Sequence, residues 1–320
     1  MQFKTFGNKN IFLIMKKLQI LLFFILISFN AHALENKIIL KIENDIITSL
    51  DVFEEINNLK FFNQNLGEVN KGEIYQIALN SLINYKIKKK EVLKYFNKIE
   101  IENKDYIKSI IENNAQKLNF KNILDFKKAL KEKSINFEDY EEKIKVNLLW
   151  NQIIYSKYNN QLVVNEIELK EKIKSQNNSK KAFNLSEIVF QVENLDDLKN
   201  TYETIKSDIN ELGFQNAVLK HSFSNTSNEG GDLGWVDETL INNKILEELK
   251  AMSIGSITNP IRIPSGFLIL KVKDVKKIET DLDLDQEVKK LINYEKEKQL
   301  SNYASIYFNK IKNNLKINAP

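Results

Sequence analysis

Apolar residues recur along this chain at two different periods, and the change from one to the other divides it. A short apolar run from Ile38 to Ile42 predicts a strand, and Glu43-Asn44-Asp45 predicts a turn. Ile46-Ile47 then leads to Thr48, which with Asp51 three residues on has the form of a capping box opening a helix through Val52, Ile56 and Leu59. Beyond Gly72, residues Ile74, Ile77, Ala78, Leu82, Ile83 and Ile87 keep the helical spacing, and the run turns basic at Lys88-Lys89-Lys90, which suits the end of a helix dipole. The same period predicts helices over 104–119, 122–132 and 137–158, a short connecting helix over 165–174 and a polar linker over 175–181. Gly and Pro are so scarce in this half that it reads as an all-α unit.

The pattern then alternates. Phe183 to Val192 predicts a strand, 195–211 and 214–221 predict helices, and Ser222 to Gly234 reads as a loop before a helix over 240–251. Strands around Ile261-Arg262-Ile263 and from Phe267 to Val272 are joined by the turn signal Pro264-Ser265-Gly266. Six of the nine glycines and two of the three prolines fall between Gly213 and Gly266, so the composition marks a second domain. From Asp285 the helical period returns through Val288, Leu291, Leu300, Tyr303, Ala304, Tyr307, Phe308, Ile311 and Leu315. A stripe of that length must be buried, and the N-terminal helices are its natural partner.

Charge and composition narrow the chemistry. The 47 Lys and Arg exceed the 43 Asp and Glu by four, but the excess lies in Lys4, Lys9, Lys16 and Lys17. The remainder is neutral with Arg262 as its one arginine, which argues against a nucleic-acid footprint. Met15-Lys16-Lys17, the apolar run Leu18 to Phe29 and the small residues of Ala31-His32-Ala33 have the order of a secretory signal, with Met15 as an alternative start to Met1. Without cysteine there is no disulfide, thiol nucleophile or lipidated cysteine, and His221 is the one imidazole beyond residue 33. No metal or cofactor is expected.

Three stretches carry a family resemblance: Glu229-Gly230-Gly231-Asp232-Leu233-Gly234-Trp235, then Gly255 to Arg262, then Ser265 to Val272. In this order and spacing they resemble the parvulin (PpiC) peptidyl-prolyl isomerases over residues 181–276, with Leu185 to Val189 similar to that family's first strand. The entry Glu43 to Thr48 and the long terminal helix resemble periplasmic chaperones of the SurA family, here with one parvulin-like domain. The resemblance implies an α+β protein: signal peptide 1–33, helical chaperone domain 34–180, an inserted β-α-α-α-β-β parvulin-like domain 181–276, and a C-terminal helix 277–320 completing the helical domain. It implies a periplasmic chaperone of unfolded exported polypeptides, outer-membrane proteins among them, with no stable membrane anchor after signal cleavage.

Prolyl isomerisation needs an apolar grip on the ring and a polar cluster that favours the twisted amide, against a barrier of about 18–20 kcal/mol. Carried over by position, the family's first His falls on Glu187, its Cys or Asp on Ser224, its hairpin hydroxyl on Ser265 and its second His on Leu268. The proline-gripping positions fall on Leu233, Ile241, Ile245 and Phe267. A pocket with walls but no imidazole pair implies peptide binding with weak or absent turnover; an active isomerase is the alternative.

Overall fold

The computed structural model describes residues 36–174, 179–279 and 284–319, so the expected export signal lies outside the described residues. The described chain begins with strands β1 (Ile38–Ile42) and β2 (Asp45–Thr48), an antiparallel hairpin turned at Glu43, whose φ is 51°. Thr48 then caps α1 (Ser49–Phe62): its Oγ1 accepts from the Asp51 amide at 3.2 Å, and its own amide donates to Asp51 at 2.7 Å.

Four more helices follow: α2 (Lys71–Phe96), α3 (Lys104–Lys117), α4 (Ile123–Glu132) and α5 (Phe137–Tyr158). Each starts at an asparagine, respectively Asn70, Asn103, Asn122 and Asn136, whose side chain accepts from the first turn. Asparagine also ends helices, because Asn97 and Asn119 take left-handed φ values of 60° and 64°. A segment this poor in glycine is thus punctuated by Asn.

Helix α6 (Glu166–Lys174) leads to the second unit, a four-stranded antiparallel sheet in the order β4-β3-β6-β5. Its strands are β3 (Ser179–Phe190), β4 (Asp232–Asp237), β5 (Ile261–Ile263) and β6 (Gly266–Glu279). Helices α7 (Leu198–Leu212) and α8 (Phe214–His221) cover one face over Ile188, Phe190, Ile205, Val218 and Ile269. Helix α9 (Asn243–Ala251) belongs to the other face, where Phe183, Leu185, Val236, Leu249, Leu270 and Val272 are buried.

The chain departs from the sequence expectation in three places. Residues 232–237 form a strand, whereas a loop was expected through Gly234 and no strand before the helix over 240–251, giving β-α-α-β-α-β-β in place of β-α-α-α-β-β. The Glu187 amide donates to the Gly231 carbonyl at 2.8 Å, and a Cβ at Gly231 would meet the Glu187 carbonyl at 2.1 Å, so glycine here permits the close approach that starts the strand. Residues 179–181, expected in a linker, pair with 277–279, because β3 and β6 run as one long ladder past the expected domain edge. The helical unit is not purely α. Strand β7 (Ile317–Asn318) pairs with Ile42 and Lys41 of β1, so the two ends of the described chain share one small sheet.

The long helix α10 (Leu284–Asn314) has two halves with different partners. Its C-terminal half closes the helical core: Trp150, 1% exposed, stacks on Tyr307 at 5.7 Å and meets Phe308 edge-on at 6.1 Å. Its N-terminal half packs Val288 and Leu291 with Ile173 and Leu240, and Tyr294 against the α9 face of the sheet. Among the described residues no helix is long and apolar enough to cross a membrane.

Candidate functional site

Helix α8 fixes the second unit to the first. Leu219 packs with Leu66, Ile74 and Ile77, while Asn63 donates to Asn216 at 3.0 Å and Asn80 to the Lys220 carbonyl at 3.2 Å. Lys220 bridges Glu73 of α2 at 2.7 Å and Asp208 of α7 at 3.0 Å, and His221 Nε2 bonds Asp208 as well. Burial works to raise the Asp208 carboxyl, but the hydrogen bonds from His221 and Lys220 outweigh it and hold it below its ordinary value. Burial lowers His221 despite Asp208, so its ring is neutral at pH 7 and Nε2 carries the proton given to the carboxylate. The imidazole therefore belongs to a clamp between units.

The chain leaves this clamp directly into residues 222–229, which carry one mapped site position, Ser224. The Val189 amide donates to Ser222 Oγ at 3.0 Å, and Ser222 donates to Ser224 at 3.1 Å. Ser224 lies 2.8 Å from Thr226 Oγ1, and Thr226 donates to Glu187 Oε1 at 2.8 Å. Each hydroxyl has one proton, so the bond from Thr226 to Glu187 makes Ser224 donate to Thr226 and orients the whole relay toward the carboxylate. Burial raises the Glu187 pKa, and the bond from Thr226, with Ser224 behind it, opposes the rise.

Strand register sorts the remaining positions. Glu187 lies opposite Leu270 and Leu268 opposite Val189, which places Glu187 and Leu268 on the α9 face. Leu233, Ile241, Ile245 and Leu268 gather there, with Tyr294 of α10 packed on the same cluster. Tyr294 is raised above the ordinary tyrosine range, first by burial and then by the nearby Glu187 charge. Phe267 does not join them. It faces the other helices, 5.8 Å from Phe190 and clustered with Ile188 and Phe214. Ser265 is 2% exposed at the β5–β6 turn and reaches Asn302 of α10 at 3.5 Å, with no base beside it.

Beside the relay opens a cleft of 760 Å³ between α2, α5 and the 222–232 loop. Ser224, a member of the relay, also lines the cleft. The cleft wall carries Asn84, Asn147, Asn151 and Asn225 among apolar residues that include Leu148 and Phe223. Glu55 on the wall is neutralised by Lys143 and accepts from Ser81 at 2.6 Å. Sequence reasoning missed this cleft and missed Thr226, Ser222 and Tyr294. The spacing of hydroxyls at 222, 224 and 226 was the available signal for the relay; the cleft, built between distant helices, left none. Among the described residues no cluster of His, Asp and Glu could hold a metal ion.

The fold and the site define a chain that carries a peptidyl-prolyl isomerase domain: the rotamase family model, a PPIC-type PPIASE domain, matches residues 183–274. The chain is also similar to curated proteins named Chaperone SurA. That of Pseudomonas putida is 26% identical over 159 residues, 47% of this chain and 37% of the relative. That of Methylococcus capsulatus is 25% identical over 158 residues, 46% of this chain and 35% of the relative. The match thus spans little more than a third of these relatives' length. A solved structure from Campylobacter jejuni, described among two SurA-like chaperones, is 18% identical with a TM-score of 0.36, covering 89% of this chain and 99% of that one.

Proposed function

We propose that this chain is a folding chaperone of the periplasm that holds unfolded exported polypeptides, outer-membrane proteins foremost, and that its PpiC-type domain contributes binding more than turnover. The cleft carries this reading. Its 760 Å³ falls in the range of about 300–1,000 Å³ typical of ligand sites, and its asparagines both donate and accept, as an unfolded backbone requires. Apolar residues between them receive side chains. The export signal read in residues 15–33 supports the compartment, and the SurA resemblance supports the client class. Loss of turnover follows from Glu187 and Leu268 at the imidazole positions, because neither supplies the neutral N–H donor of an imidazole. Light scattering from a diluted outer-membrane barrel tests the proposal: aggregation is suppressed near stoichiometric ratios, and no suppression there overturns it.

One arrangement favours the second reading, an active isomerase. Leu233, Ile241 and Ile245 gather on the sheet face that Glu187 shares, and a buried carboxyl that keeps its proton can donate to a twisted amide. Under this reading a proline-containing peptide isomerises faster with the wild type than with Leu233→Ala. A wild-type rate equal to the uncatalysed one removes it.

A further inference from the structure

One end of the cleft holds two hydrogen-bond donors whose local partners do not account for them. Lys88, from the basic run late in α2, places its Nζ 3.2 Å from Asn147 Oδ1 and 5.9 Å from the Trp150 ring centre. Among the described residues no carboxylate pairs with it, whereas the neighbouring Lys89 and Lys143 are bound to Glu142 and Glu55. Burial pushes Lys88 down to about 8, with no opposing charge. Trp150 is 1% exposed and lines the same cleft, yet its indole Nε1 has no hydrogen-bond partner. An ammonium and an indole N–H left this way in a packed wall are costly. The cost is relieved if an acceptor enters the cleft.

We propose that this end of the cleft receives the free C-terminal carboxylate of a bound polypeptide, with Lys88 as its charge partner and Trp150 Nε1 as a second donor. The inference rests on the reading of the cleft as a polypeptide site and adds which part of the polypeptide enters it. The charge count selects the ligand. Of the lysines that line the cleft, Lys143 is bound to Glu55 and Lys117 acts on the Asp232 carboxylate, which leaves Lys88 as a single cation; that matches a carboxylate and falls short of a phosphate dianion. The wall selects the rest, since Asn84, Asn147 and Asn151 answer main-chain groups while Leu148 and Phe308 answer an apolar side chain. A carboxylate could also come from an internal Glu or Asp side chain, so the test separates the two sources.

The full chain carrying Trp235→Phe leaves Trp150 as its one tryptophan and hence as the reporter. Three short unstructured peptides are titrated: one with a free C-terminus, its C-terminal amide, and the amide with one internal Glu. A charge-assisted hydrogen bond is worth enough that the free acid binds about 10- to 100-fold tighter than its amide. Lys88→Met brings acid and amide to equal affinity; its unfolding curve checks that it folds, and the wild-type comparison does not depend on it. Equal binding of acid and amide to the wild type overturns the inference, as does a preference that survives in Lys88→Met. An internal Glu that binds as tightly as the free terminus overturns the C-terminal assignment. Binding without preference sinks this inference alone; no binding by any of the three sinks the polypeptide reading with it.

Discussion

Two regions of this chain differ in chemistry and in access. The α9 face of the sheet gathers Leu233, Ile241, Ile245 and Leu268 into a packed apolar cluster, with Glu187 on the same face and Tyr294 of α10 packed against it. The cleft between the helical unit and the 222–232 loop has amides, an uncommitted lysine and 760 Å³ of room. The mapped isomerase positions and the open volume lie in different places, and of those positions Ser224 alone lines the cleft. Under the proposed function, domain identity and client binding therefore need not share one site.

Helix α10 controls the comparison, because its two halves serve different regions: Tyr294 packs on the α9-face cluster and Phe308 lines the cleft. Phe308→Ala acts through the C-terminal half and has the largest expected effect. It removes a buried aromatic from the Trp150 cluster, so urea unfolding shows a loss of about 3–5 kcal/mol, and the cleft wall loosens with it. A loss below about 1 kcal/mol contradicts the view that the terminal helix closes the helical core.

Tyr294→Ala acts through the N-terminal half and should divide the two regions. Its stability cost is smaller, about 1–3 kcal/mol, because the side chain is packed on one cluster and lies away from the Trp150 core. Under the active-isomerase reading, prolyl isomerisation of a short peptide rises above the wild-type rate as the α9 face is uncovered, while affinity for peptide in the cleft stays unchanged. An unchanged isomerisation rate shows that α10 does not limit that face; a parallel loss of cleft binding shows that the regions are one site.

Much of this arrangement was legible in the sequence, and the parts that were not share a cause. The apolar stripe from Val288 to Leu315 required burial, and the helical core receives its end through Phe308. The stripe could not reveal that its first turns would bury Tyr294 on another unit, since helical period specifies a face but not its partner. Strand β4 was hidden by the glycines around it, of which Gly231 permits a close approach to β3, a tertiary fact. The mapping of Phe267 and Leu268 to one site could have been tested from sequence alone, because neighbouring residues of a strand point to opposite faces. Lys88 looked like a dipole-completing lysine at a helix end; only the packing of α5 against α2 encloses it.

The smallest effect concerns Glu187 and bears on whether its relay is built for an ion. Burial raises its pKa in the folded chain, so between the ordinary glutamate value, about 4.3, and the raised one the folded state keeps a proton that the unfolded state has released. Stability therefore falls as pH rises through that window, stays lower above it, and is unaffected below about pH 4 where both states are protonated. Glu187→Gln keeps an oxygen for Thr226 and abolishes the titration, so its unfolding midpoint matches the wild type at the acid end and exceeds it at neutral pH. A variant less stable than wild type at neutral pH reverses the sign: the hydroxyls of Ser222, Ser224 and Thr226 would then hold the carboxylate strongly enough to outweigh its burial, and the α9 face would retain a charge that the cleft does not need.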